Sequence, residues 1–75
     1  MTPEVILTQV EKRRLAMKIK ALRERREMTQ QELAHKARLS VGYLARLEIG
    51  RHEPTLTTLR KLARALGVPV AELLR

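Results

Sequence analysis

Arg46 has the clearest chemistry to offer in this 75-residue chain, and its neighbours decide of what kind. A helix beginning at the N-cap residue Ser40 turns Leu44 and Leu47 inward as an i, i+3 apolar pair. It leaves Val41, Gly42, Ala45 and Arg46 on the other side. One guanidinium on a face of small residues suits bidentate donation to a guanine edge, because the planar fork matches two acceptors in a DNA major groove. Val41 offers only apolar contact, at best to a thymine methyl. Gly42 costs about 1 kcal/mol relative to Ala inside a helix. It is either drift at a tolerant position or room for a helix to sit deep in a groove. The plain alternative for Arg46 is a solvated helical arginine.

Other chemistries are poorly served. No Ser, acid or His arrangement pairs a nucleophile with a base, and there is no Gly-rich phosphate loop, so no enzyme activity is expected. His35 and His52 are isolated rather than spaced as metal ligands, one reading as a helix-surface residue and the other as a loop residue whose alternative is a phosphate contact. Cysteine is absent, which removes thiolate metal sites and disulfides. No metal and no cofactor is expected.

Charge then narrows the partner. A net charge of +8, from 16 Lys and Arg against 8 Asp and Glu, favours a polyanion. Nucleic acid is the first candidate and an anionic membrane surface the second. Modules that hold single strands or RNA loops stack bases on several aromatic rings. This chain has only Tyr43, so duplex DNA is the better partner. The longest aliphatic run, Val5-Ile6-Leu7, is far short of a membrane span. The Arg13-Arg14 pair lacks the apolar stretch of a secretion signal, and the chain reads as cytoplasmic. Seventy-five residues make one domain with a small core, so a second subunit is the expected source of further burial.

The elements that must position Arg46 are set by local signals. Thr29-Gln30-Gln31-Glu32 is a capping-box pattern that starts a helix with Leu33, Ala34 and Ala37 on one face. A second short helix runs from Ser40 and ends at Gly50, which supplies a left-handed residue. Two short helices with a tight connection fit a helix-turn-helix, the first bracing the second. Upstream, Thr2-Pro3-Glu4 reads as a helix start, and one helix is expected from about Pro3 to about Arg26. Leu15, Ile19 and Leu22 keep core spacing within it, while Ile6, Leu7 and Val10 form a separate apolar cluster. Between Lys12 and Arg26 stand eight of the sixteen basic residues and one acid, Glu24. That run is both a solvated face and a source of non-specific attraction to phosphate.

Downstream, Arg51-His52-Glu53-Pro54 is a loop, because Pro54 disfavours helix at Glu53 and Thr55 can cap a new helix. Leu56, Leu59, Leu62, Ala63 and Leu66 trace an apolar stripe that Gly67 closes, with Val68 as the apolar contact beyond it. Pro69 opens a last helix whose Val70, Leu73 and Leu74 either cap the core or form an interface. Five helices and no strand make the expected fold all-α. Residues 1–14 are a helical extension, and residues 15–75 form the domain.

With these residues in place, the chain resembles the lambda-repressor-like family of helix-turn-helix DNA-binding domains, the Xre/Cro group. The matching pieces are Leu22-Arg23, Thr29-Gln30, Glu32-Leu33-Ala34, Ser40, Tyr43-Leu44, Leu47-Glu48, Gly50-Arg51, Pro54-Thr55-Leu56, Leu59, Leu62-Ala63, Ala65-Leu66-Gly67-Val68 and Glu72-Leu73. The resemblance implies a five-helix bundle that binds operator DNA as a two-fold homodimer, with Val41, Gly42 and Arg46 at base-reading positions. It implies backbone contacts from Gln30, Gln31, Ser40, Tyr43, Arg51 and Thr55, and a structural ion pair between Arg23 and Glu48. Ile6, Val10, Val68, Val70, Leu73 and Leu74 are the candidates for the dimer interface. Arg38 and Glu27 stand where the family usually has glycine, so Arg38 is expected to adopt a left-handed conformation at a cost of about 1–2 kcal/mol. The expected function is a sequence-specific transcriptional regulator, such as a restriction-modification controller or a small repressor. The rival expectation is an antitoxin-type module that neutralises a protein partner, with operator binding secondary.

Overall fold

The structure, a computed structural model, describes residues 9–75. Five helices carry them: α1 Gln9–Arg25, α2 Gln30–Ala37, α3 Val41–Glu48, α4 Leu56–Leu66 and α5 Val70–Leu73. No strand occurs among the described residues. The helix start expected at Thr2-Pro3-Glu4, with Ile6 and Leu7, lies outside them. α1 runs unbroken through residue 14, so Val10 and Lys12 belong to the same helix as the core residues Leu15 and Ile19.

Side-chain caps set where the helices begin. Thr29 Oγ1 accepts from the Glu32 amide at 3.0 Å, and the Thr29 amide donates to Glu32 Oε1 at 2.7 Å, a complete capping box on α2. Ser40 Oγ accepts from the Tyr43 amide at 3.1 Å, and Thr55 Oγ1 from the Thr58 amide at 3.1 Å. These caps satisfy helix donors that would otherwise be unpaired.

The first four helices end in one way. Each has a left-handed residue whose amide, with that of the next residue, bonds back to the last turn. For α3 these bonds run from Gly50 to the Leu47 carbonyl and from Arg51 to the Arg46 carbonyl, at 3.0 and 2.9 Å. The left-handed residues of α3 and α4 are glycines, Gly50 and Gly67; those of α1 and α2 are Glu27 and Arg38, with φ of 55° and 58°. The strain foreseen at Arg38 is therefore present, and Glu27 shares it.

The core forms where α2 packs on α3 and α4, α1 crosses α3, and α5 closes against α4 and α1. Ile19, Leu33, Leu44, Leu47, Leu62 and Leu66 are fully buried. Each such side chain contributes roughly 1.5–3 kcal/mol over leaving it in water, so these six fix how α3 is held. Two expectations are corrected. Leu56, placed on the buried stripe of α4, is 51% exposed, because it is the first residue of the helix and projects past the core. Leu73, a dimer candidate, is 1% exposed and spent on its own chain's core. Val68 and Val70 are half-buried against that core, whereas Val10 and Leu74 face solvent.

Candidate nucleic-acid interface

α3 is eight residues long and has two unlike faces. Leu44, Leu47 and Glu48 are buried, while Val41, Gly42 and Arg46 are exposed. The inward face is held by packing and by a buried polar group. Arg23 of α1 grips Glu48 with two parallel bonds, Nε to Oε2 at 2.7 Å and Nη2 to Oε1 at 3.0 Å, and its Nη1 donates to the Met28 carbonyl at 2.8 Å. Gln30 Nε2 donates to Glu48 Oε1 at 3.0 Å. One carboxylate thus ties α1, the start of α2 and the end of α3 together. The hydrogen bond to Glu48 raises the Arg23 pKa, burial opposes it, and the attraction of Glu48 and Glu24 adds to the rise. No buried side-chain nitrogen or oxygen among the described residues lacks a partner.

The outward face is arranged around Arg46. Its Nε donates to His52 Nε2 at 2.9 Å, and His52 in turn lies against the Tyr43 ring, centroids 4.8 Å apart and tilted by 42°. Tyr43 is half-buried against the core. The guanidinium is therefore connected to the core through two rings. His52 uses the nitrogen farthest from the fork tip, which leaves both Nη groups to donate. Gly42 sits beneath this arrangement: a Cβ there would be 3.6 Å from Arg46 Nη1, an ordinary contact. A methyl at residue 42 fits the free protein, so the bare Cα has no steric reason within the chain.

The residues expected at the DNA backbone are distributed around this face with unequal freedom. Ser40 caps α3 through its oxygen and keeps its hydroxyl proton. Thr55 caps α4 and also donates to Thr58 Oγ1 at 3.2 Å, so its proton is used within the chain. Gln30 has given one of its two amide protons to Glu48, and Gln31 is exposed beside it. Arg51 comes just past the end of α3 with its side chain exposed. Lys12 of α1 reaches the loop after it, pairing with Glu53 at 3.1 Å. Nothing in the sequence pairs His52 with Arg46; the fold of the α3–α4 loop brings it six residues back onto that side chain. Among the described residues no three His, Cys, Asp or Glu side chains are grouped to hold a metal. No helix among them is long and apolar enough to cross a membrane.

A short helix braced from behind, with a small-residue face and one arginine outward, defines a helix-turn-helix DNA-binding domain. The helix-turn-helix family model HTH_3 matches residues 19–73, and the chain belongs to that family, the Xre or lambda-repressor-like group. Its fold is that of a transcriptional regulator, and the family is not one of enzymes.

The chain is 47% identical over 57 residues to the immunity repressor protein of Bacillus phage phi105, a match covering 76% of this chain and 40% of that protein. It is 39% identical over 61 residues to the HTH-type transcriptional regulator DdrOP3 of Deinococcus deserti, covering 81% of this chain and 47% of that one. The chain thus spans less than half the length of these two relatives. Among solved structures it resembles the restriction-modification controller protein C.AhdI from Aeromonas hydrophila, with a TM-score of 0.83 and 26% identity. That match covers 85% of this chain and 97% of the controller. The clp gene regulator ClgR from Corynebacterium glutamicum matches with a TM-score of 0.82 and 35% identity over 96% of this chain and 72% of that one.

Proposed function

We propose that this chain is a sequence-specific duplex-DNA-binding regulator of transcription, acting in the cytoplasm as a homodimer on a two-fold operator. The observation that carries the reading is the orientation of α3: Val41, Gly42 and Arg46 are exposed while Leu44, Leu47 and Glu48 lock the helix from behind. Arg46 reads a guanine, Val41 meets a thymine methyl, and Gly42 lets the helix approach the bases closely. Gln30, Gln31, Ser40, Tyr43, Arg51 and Thr55 hold the flanking backbone. With so few base-reading side chains, DNA shape supplies part of the specificity.

The likeness to a phage immunity repressor and to a controller protein supports a small repressor or controller. In the dimer, half-sites lie about one helical turn apart, roughly 34–36 Å. Of the interface candidates among the described residues, Val10 and Leu74 are exposed and Val68 and Val70 are half-buried against the core. Selection of bound sites from random duplexes, with sedimentation of the bound species, tests the proposal. The expected result is a palindromic site, two chains per duplex, and affinity that falls steeply with salt. A salt-resistant complex with a protein, and no preferred duplex, would favour the antitoxin-type alternative.

A further inference from the structure

α4 is two-faced. Leu59, Leu62, Ala63 and Leu66 enter the core. Thr57, Arg60, Lys61 and Arg64, spaced i, i+3, i+4 and i+7, share another side. There they meet Lys36 and Arg38 from the end of α2 around a cleft of about 220 Å³ that opens to solvent. Five of these six side chains are cations and none is a carboxylate. None of the five has an ion pair among the described residues, as is true of most of the chain's cations. The carbonyl ends of α2 and α4 account for Lys36, Arg38 and Arg64, since cations are favoured there. They do not account for Arg60 and Lys61, which stand mid-helix facing the same space.

Arg38 adds a second observation. It holds a left-handed conformation, φ 58°, at a helix end that glycine would complete with less strain. Strain kept with a side chain in place points to a use for that side chain. Glu27 shares the conformation, so strain alone does not single out Arg38; its place in the cleft does.

We propose that this cleft binds phosphoryl groups, at a site that shares no residue with the face around Arg46. Arginine forks match phosphate oxygens two at a time, and the lysines add point charge. Pockets for drug-sized organic ligands span about 300–1,000 Å³ and are mostly apolar. This one is smaller and cationic, so it takes one or two phosphates rather than a whole organic molecule. The phosphates belong either to a free polyphosphate or phosphorylated small molecule, or to a duplex lying against the protein. The proposal goes beyond the reading of α3 and does not depend on it.

The test is calorimetric titration of the full chain with sodium tripolyphosphate, against sodium chloride at matched ionic strength, with duplex binding measured in parallel. The variants are Arg60→Gln with Arg64→Gln, and Arg38→Gly; all three residues are exposed, so the core is untouched. Lys20→Gln with Arg25→Gln, exposed in the basic run of α1, is the charge-matched control that measures non-specific attraction to phosphate. Tripolyphosphate should bind beyond the chloride effect, about tenfold more weakly for each cleft arginine removed. The control variant should lose only the smaller, non-specific share of this affinity, and duplex affinity should be little changed by the cleft variants. If tripolyphosphate shows no specific binding but the cleft variants weaken all duplexes alike and flatten their salt dependence, the site holds DNA phosphates. Equal losses in the control variant would reduce the effect to net charge and overturn the proposal. So would a response to tripolyphosphate no larger than that to chloride, with duplex binding unmoved.

Discussion

Glu48 and Arg46 stand two residues apart on α3 and anchor two polar groups of opposite character. Glu48 faces inward at 6% exposure and accepts three hydrogen bonds from Arg23 and Gln30. Arg46 faces outward and makes one, to His52. In the first group Arg23 and Glu48 are fully committed, and their low exposure makes each bond between them costly to lose. In the second a single bond orients the guanidinium while its two Nη groups stay open. Burial thus converts one arginine into structure and leaves the other with donors free for a partner. The two groups are also linked, because the helix that presents Arg46 is held in place through Glu48.

The largest expected effect breaks the inward group. Glu48→Ala leaves the largely buried Arg23 guanidinium without its two-bond partner, with only the Met28 carbonyl and the more distant Glu24 remaining. It should cost about 3 kcal/mol in urea unfolding, the lower end for a buried pair. Replacing both residues by apolar ones, Arg23→Met with Glu48→Leu, should recover much of that loss. A double variant as unstable as the single one would mean that the pair contributes more than its own desolvation problem. Next comes the outward group. Arg46→Ala should leave stability within about 0.5 kcal/mol while costing about 1–3 kcal/mol at the preferred duplex and relaxing base choice there. Equal loss on random DNA would assign Arg46 to the backbone and remove the contrast.

The next effect is smaller and concerns the helix end that precedes α3. Arg38→Gly should stabilise the fold by up to about 1 kcal/mol, since the left-handed conformation costs a non-glycine residue about 1–2 kcal/mol and glycine returns part of that as unfolded-state entropy. A fall in melting temperature would show that the Arg38 side chain is held by contacts worth more than its strain.

Most of the fold was legible because its punctuation is local. Thr29, Ser40 and Thr55 cap helices through bonds to residues three positions on, and Gly50 and Gly67 end them through bonds within one turn. Core residues such as Ile19, Leu33 and Leu62 keep helical spacing. Leu56 was misplaced because periodicity does not say where a helix leaves the core, and Leu73 because an apolar terminal helix reads the same whether it caps its own chain or a partner. The inward polar group was legible only through family resemblance, whereas the outward place of Arg46 followed from helical spacing. Arg23 and Glu48 are 25 residues apart, and nothing in their spacing marks them as a pair. His52 carried no signal for its contact with Arg46, which depends on how the loop after Gly50 folds back.

His52 therefore gives the smallest and most discriminating prediction. If it orients Arg46 by accepting from Nε, His52→Ala removes one exposed hydrogen bond, whose net worth is about 0.5–1.5 kcal/mol. Discrimination between the preferred and mismatched duplexes should fall by no more than about tenfold, less than for Arg46→Ala, because the guanidinium is still present and only less often aimed. Binding to random DNA should not change. His52→Gln, whose side-chain carbonyl offers an acceptor, should restore part of the discrimination, which a role based on ring contact with Tyr43 alone would not allow. In the Arg46→Ala background, His52→Ala should have no further effect on base choice, since the residue it orients is gone. A uniform loss on every duplex, persisting in that background, would instead make His52 a backbone contact and leave Arg46 held by the helix alone.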